Sequence, residues 1–309
     1  MSFKEFQEQI IEKLNNYFNG SVEITPHNVK KNNGVVFEGI VIGTKEQRVS
    51  PTIYLRQFYE EHKQNLDLDE IVKQIVGVYE NSKTANLPRL DFFFDYLQVK
   101  EIIYYKLINY EKNKEELLNV PHIKYLDMAM VLYCKISTGE YSNGTIQITN
   151  EHLKIWNVSK SDVLIQALKN TPCHMEEKVY GMREILLKMR RGMLGDDFTD
   201  EEIMEMFPDL PEQSIPMYVL TNSLQLYGAS AILYDGVLDC FAQSVQDDLY
   251  ILPSSIHEVI LIPVSEAGSP KDLSYMVREI NETQLEPQEV LSDHVYLFSR
   301  KLNRTIIAY

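Results

Sequence analysis

Residues 259–262, Val-Ile-Leu-Ile, are apolar at every position and follow a compact polar turn over residues 253–258. An apolar run without alternation suits a strand covered on both faces, hence one inside its sheet. Such a strand requires a neighbour on either side and a packed layer against it. The surrounding sequence supplies both. Residues 217–220 and 249–252 read as further short strands, and the terminal VYLFSRKLNRTIIAY reads as two strands joined by residues 300–303. The Ser269-Pro270-Lys271-Asp272 sequence is a helix start, with Ser as N-cap and Pro in the first position. Leu273, Met276, Val277 and Ile280 then form the i, i+3, i+4, i+7 stripe of a helix laid on that sheet.

Upstream, Phe3, Phe6, Ile10, Leu14 and Phe18 give one face of an opening helix that Asn19-Gly20 ends. Strands are expected at 22–25 and 35–43, and helices at about 54–63 and 68–81. The aromatic and β-branched stretch DFFFDYLQVKEIIYYKLINY favours one or two buried strands. A polar helix over 111–119 separates it from a strand at 126–136, and Asn143-Gly144 signals a hairpin. Asn150 is expected to cap one helix, and Ser159 with Asp162 the next, which should stop before Pro172. Thr199 with Glu202 reads as a third cap. Helices laid on short, mainly antiparallel sheets define an α+β class. The expected organisation is a helix–strand–helix unit over 1–87, a central α+β unit over 88–175, a connector over 176–213 and a C-terminal α+β unit over 214–309.

The 309 residues are 44% hydrophobic and 24% charged, with a formal net charge of -15, so a buried core is available and global disorder is not expected. The negative charge disfavours nonspecific nucleic-acid binding and anionic membrane surfaces. It either keeps the protein soluble or forms an acidic face for a basic partner. Cys134, Cys173 and Cys240 have no paired spacing, which points to a reducing compartment. The opening helix lacks the basic and apolar regions of a signal peptide. A cytoplasmic protein without a membrane span is expected.

The stretch MYVLTNSLQLYGASAILYDGVLDCFAQSVQDDLYILPSSIHEVILIP, with MVREIN and LSDHVY, resembles a bacterial family catalogued only as a domain of unknown function. SPTIYLRQFYEEHK and ITNEHLKIWNVSKSDVLIQALKNT share the resemblance, which spans nearly the whole chain. It implies a bacterial, cytosolic, non-secreted protein. It carries no established activity, cofactor or catalytic residue, so functional residues must be argued from their chemistry.

Ser255, His257, Glu258 and His294 are the catalytic candidates, because serine, histidine and carboxylate are the residue types of a hydrolase triad. Against this, no G-x-S-x-G elbow surrounds Ser254 or Ser255, and hydroxyls after Pro253 also suit hydrogen bonds to the turn backbone. Arg278, Asn281, Glu282 and Asp293 are the ligand-binding candidates. Arg278 either pairs with Glu282 or holds an anionic ligand or a partner's carboxylate. Residue 261, four after His257, is Leu, so the helical zinc-peptidase pattern is absent; no metal and no cofactor are expected. No glycine-rich phosphate loop occurs. The leading expectation is a non-catalytic binding or regulatory protein that engages a protein or a small anionic ligand. The alternative is a hydrolase of unfamiliar type centred on Ser255, His257 and Glu258.

Overall fold

The computed structural model describes residues 1–43, 52–84, 90–137, 143–194, 202 and 216–309. The chain forms two compact units, one of Met1–Leu90 with Ser137–Asn143, the other of Asp91–Ile136 with Gly144–Tyr309. All registered strand pairings are antiparallel, giving an α+β architecture.

In the first unit, α1 (Phe3–Phe18) opens with a Ser2–Glu5 capping box and buries Phe6, Ile10 and Leu14. Asn19 takes a left-handed φ of 48° and ends it. Strands β1 (Glu23–Lys30), β2 (Val36–Gly43) and β3 (Thr52–Tyr54) form a sheet in that order. Helices α2 (Arg56–Lys63) and α3 (Leu68–Thr84) complete the unit. Ile40, Ile42, Ile53, Tyr59, Ile71 and Ile75 close its core on α1.

The second unit holds two sheets. One contains β4 (Ile103–Asn109), β5 (His122–Tyr125), β6 (Met128–Ser137) and β7 (Asn143–Gln147); β6 pairs with the other three. The other contains β8 (Glu177–Gly181), β9 (Tyr218–Asn222), β10 (Leu249–Pro253), β11 (Val259–Pro263), β12 (Tyr296–Ser299) and β13 (Arg304–Ile307). Its order is β13-β12-β10-β11-β9-β8, so the all-apolar β11 is an inner strand, as its composition requires.

Some local expectations are met with altered detail and others are revised. The aromatic stretch yields a 3-10 turn (Leu90–Phe94), a short helix α4 (Tyr96–Val99) and the single strand β4. Residues 111–119 form turns ending in a 3-10 segment, Glu116–Asn119, not a helix. The expected pairing of the strands on either side of Asn143-Gly144 is present, β7 with β6, and the dipeptide itself starts β7. Helix α5 (Asn150–Trp156) is capped by Thr149 instead of Asn150. Helix α6 (Lys160–His174), capped by Ser159 and Asp162, runs through Pro172. Helix α7 (Met182–Leu194) follows β8. Thr199 lies outside the described residues. Helices α8 (Val237–Val245) and α9 (Pro270–Thr283) flank the six-stranded sheet's segments, α9 with the expected Ser269 cap.

That sheet has two differently covered faces. Leu252, Ile262 and Val295 pack with Leu273 and Val277 of α9. Ile251, Val259, Leu261 and Tyr296 join the large core shared with Leu107, Met128 and Met130 of the four-stranded sheet. No helix among the described residues is long and apolar enough to cross a membrane.

Candidate functional site

The candidate residues gather at one end of the six-stranded sheet because of strand direction. Pro253 at the end of β10 pairs with Val259 at the start of β11. Leu220 near the end of β9 also pairs with Val259, and Tyr296 at the start of β12 pairs with Ile251. Residues 221–228, 254–258 and 292–295 therefore leave the sheet on the same side. Within that end they separate into three groups.

The first surrounds His257. The Ser255 hydroxyl is buried and accepts the His257 backbone N–H at 2.9 Å. The Ser255 N–H donates to the Glu258 carbonyl at 3.1 Å, closing the turn. Ser254 Oγ reaches Glu258 Oε1 at 3.5 Å. The His257 ring lies parallel to Tyr227, with centroids 5.4 Å apart and 14° between planes. Its Nδ1 accepts the Tyr227 backbone N–H at 3.1 Å, which places the ring proton on Nε2, and the ring also hydrogen-bonds the Gln225 backbone. Burial lowers its pKa, keeping the ring neutral. The His257 carbonyl accepts the Thr221 hydroxyl at 2.8 Å. Gly228 packs into the same knot; a Cβ there would stand 2.5 Å from the His257 carbonyl oxygen and 2.7 Å from the Asn222 nitrogen.

The second group centres on a residue that sequence reasoning missed, Asp127. It occupies the two-residue turn between β5 and β6, beside Leu126 with a left-handed φ of 56°. Tyr296 donates to Asp127 Oδ1 at 2.6 Å, and Ser292 donates to Oδ2 at 2.7 Å. His294 Nδ1 lies 3.0 Å from Oδ2. Ser292 Oγ also accepts the His294 backbone N–H at 3.0 Å. Burial holds the Tyr296 phenol in its protonated form, far above its ordinary pKa, with the Asp127 charge adding to the effect. The His294 side chain keeps 43% exposure while Asp127 keeps 17%. The four residues include serine, histidine and aspartate, but the serine and the histidine bind the same carboxylate oxygen. In a triad the histidine stands between the other two.

The third group lies on the opposite face. Neighbouring strand residues point to opposite faces. Val295 packs under α9 and Tyr296 in the core shared with the four-stranded sheet. Asn281 of α9 donates to the Ser292 carbonyl at 2.9 Å and to Asp293 Oδ1 at 2.7 Å, clamping the segment before β12. Arg278 and Glu282 are exposed on the same helix, and no ion pair joins them. Thus Asn281 and Asp293 meet, His294 turns to Asp127 on the other side, and no hydrogen bond or ring contact links His257 to His294. Strands β11 and β12 flank β10, so two strand spacings, about 10 Å, separate these histidines along the sheet end.

Among the described residues, no group of three or more His, Cys, Asp or Glu is placed to hold a metal ion. A shallow depression between β5, β6 and α6, lined by Ile123, Met130, Leu132 and Leu164, is apolar and leaves no enclosed space for a ligand.

The architecture is that of an α+β protein with a polar-capped sheet end. The chain belongs to a family of unknown function, DUF5688, whose model matches residues 3–300. No curated protein and no solved structure matches it.

Proposed function

We propose that this chain is a non-catalytic binding or regulatory protein that uses the C-terminal polar residues to engage a protein or a small anionic ligand. One observation carries the reading: the groups that a hydrolase would need free are engaged inside the protein. Ser255 and Ser292 are buried and each hydroxyl accepts a backbone N–H. His257 spends its only lone pair on the Tyr227 N–H. The groups left toward solvent are recognition groups: the Arg278 guanidinium with Glu282 on α9, and the half-exposed His294 ring. Arg278 suits an anionic oxygen by charge and by its fork of donors.

The test uses inorganic phosphate and acetate as probes, with binding followed by amide NMR shifts, alongside hydrolysis of p-nitrophenyl acetate. Shifts around Arg278 that vanish in Arg278→Ala, without turnover, are expected. Ester hydrolysis that is lost in His257→Ala while the fold survives would overturn the reading in favour of a hydrolase centred on Ser255, His257 and Glu258.

A further inference from the structure

We infer that the His294 edge of this site, with its imidazole in the neutral form, takes a hydrogen-bond donor, such as an ammonium or an uncharged N–H or O–H group, and not an anion. The inference rests on the reading of the sheet end as a binding surface. It follows from which nitrogen carries the proton. A carboxylate only accepts hydrogen bonds, so the 3.0 Å contact with Asp127 Oδ2 requires the proton of the neutral ring on Nδ1. Two further donors, Tyr296 at 2.6 Å and Ser292 at 2.7 Å, hold the carboxylate in place as the acceptor for that proton. Asn281 and the buried Val295 fix the backbone on either side of His294. In the neutral ring Nε2 therefore keeps a lone pair, and the ring is half-exposed. An anion at that nitrogen would meet a lone pair; an N–H or O–H would complete it.

Asp127 is thus a positioning residue: it sets the ring's polarity without itself facing the ligand. Arg278, exposed on α9, the helix that packs on the other face of the sheet, has the opposite preference. The sheet end then offers an acceptor on one side and a cation on the other, a pattern suited to a partner that presents both charge types.

The experiment is ¹⁵N–¹H long-range NMR of the histidine rings at pH 8, followed by separate titration with methylammonium chloride and sodium acetate at matched ionic strength. The Nδ1–H pattern is expected for His294. Methylammonium should shift the amides of residues 293–296, acetate should not, and the shift should vanish in His294→Ala. Ser269→Ala removes only the cap of α9, outside the Asp127 cluster, and should retain the response, which separates recognition from a general loss of stability. Asp127→Asn, whose carboxamide both donates and accepts, should let the ring populate both tautomers. An Nε2–H pattern in the parent protein, or a response to acetate alone, overturns the inference. If neither probe shifts these residues, the inference falls, whereas the broader binding reading stands or falls on phosphate at Arg278.

Discussion

Single residues at the sheet end differ sharply in what they tolerate. Gly228 has no room for a methyl group beside the His257 carbonyl and the Asn222 nitrogen. Gly228→Ala should cost more than about 2 kcal/mol, since backbone must move; a thermal melt within a degree of the parent would refute this. Tyr296→Phe removes a buried charge-assisted bond to Asp127 and should cost about 1–3 kcal/mol in denaturant unfolding. Ser274 has the opposite prospect. Its hydroxyl is buried on α9 without a hydrogen-bond partner. Ser274→Ala should be neutral or stabilising by up to about 1 kcal/mol, and clear destabilisation would mean that the hydroxyl has a partner after all. His257 adds a pH term. Its folded-state pKa is lowered by burial, so the unfolded chain binds the proton more readily. Stability from this group is present above the unfolded value, about 6.5, and is lost as pH falls from there toward the folded value. His152, also lowered chiefly by burial, acts in the same direction. The melting temperature should fall between pH 7.5 and 5, and His257→Asn should flatten that slope if the variant remains folded.

Elements whose signals are local were legible in the sequence. The cap at Ser269, the capping box at Ser159 and Asp162, the apolar β11 and the hairpin before the final strand each depend on residues within a few positions of one another. Ser269→Ala should cost about 1 kcal/mol, because its side chain accepts the Asp272 N–H at the helix start. What escaped was set by distant partners. Strand β8 lies inside the stretch read as a connector, and its pairing with β9 gives it a strand's geometry despite its polar residues. Asp127 offers no local clue either, being 167 positions from His294 and marked only by a tight turn. The candidate residues are neighbours in sequence, while their division between two sheet faces follows from the alternation of Asp293, His294, Val295 and Tyr296. Residue type singles out the region as a candidate; only the fold shows which hydroxyls and ring nitrogens are engaged.

At the scale of the whole molecule, the two units carry separate cores, one built on α1 and the first sheet, the other on the two sheets of the second unit. Calorimetry should accordingly give a measured unfolding enthalpy larger than the van't Hoff value, the sign of more than one cooperative transition; equal values would show that the units unfold as one. The net charge of -15 should make salt stabilising by screening self-repulsion. The strand order of the six-stranded sheet also has a consequence for synthesis. Ile251 of β10 must wait for Tyr296 of β12, forty-five positions later, although its partner on the other side, Leu261, is made ten positions on. At about 5–20 residues per second a ribosome needs roughly 2–9 seconds to cover that interval. Throughout it, one edge of an apolar Leu-Tyr-Ile-Leu strand stands open to any passing nascent chain, so the yield of soluble protein should depend on how fast translation traverses the segment encoding α9.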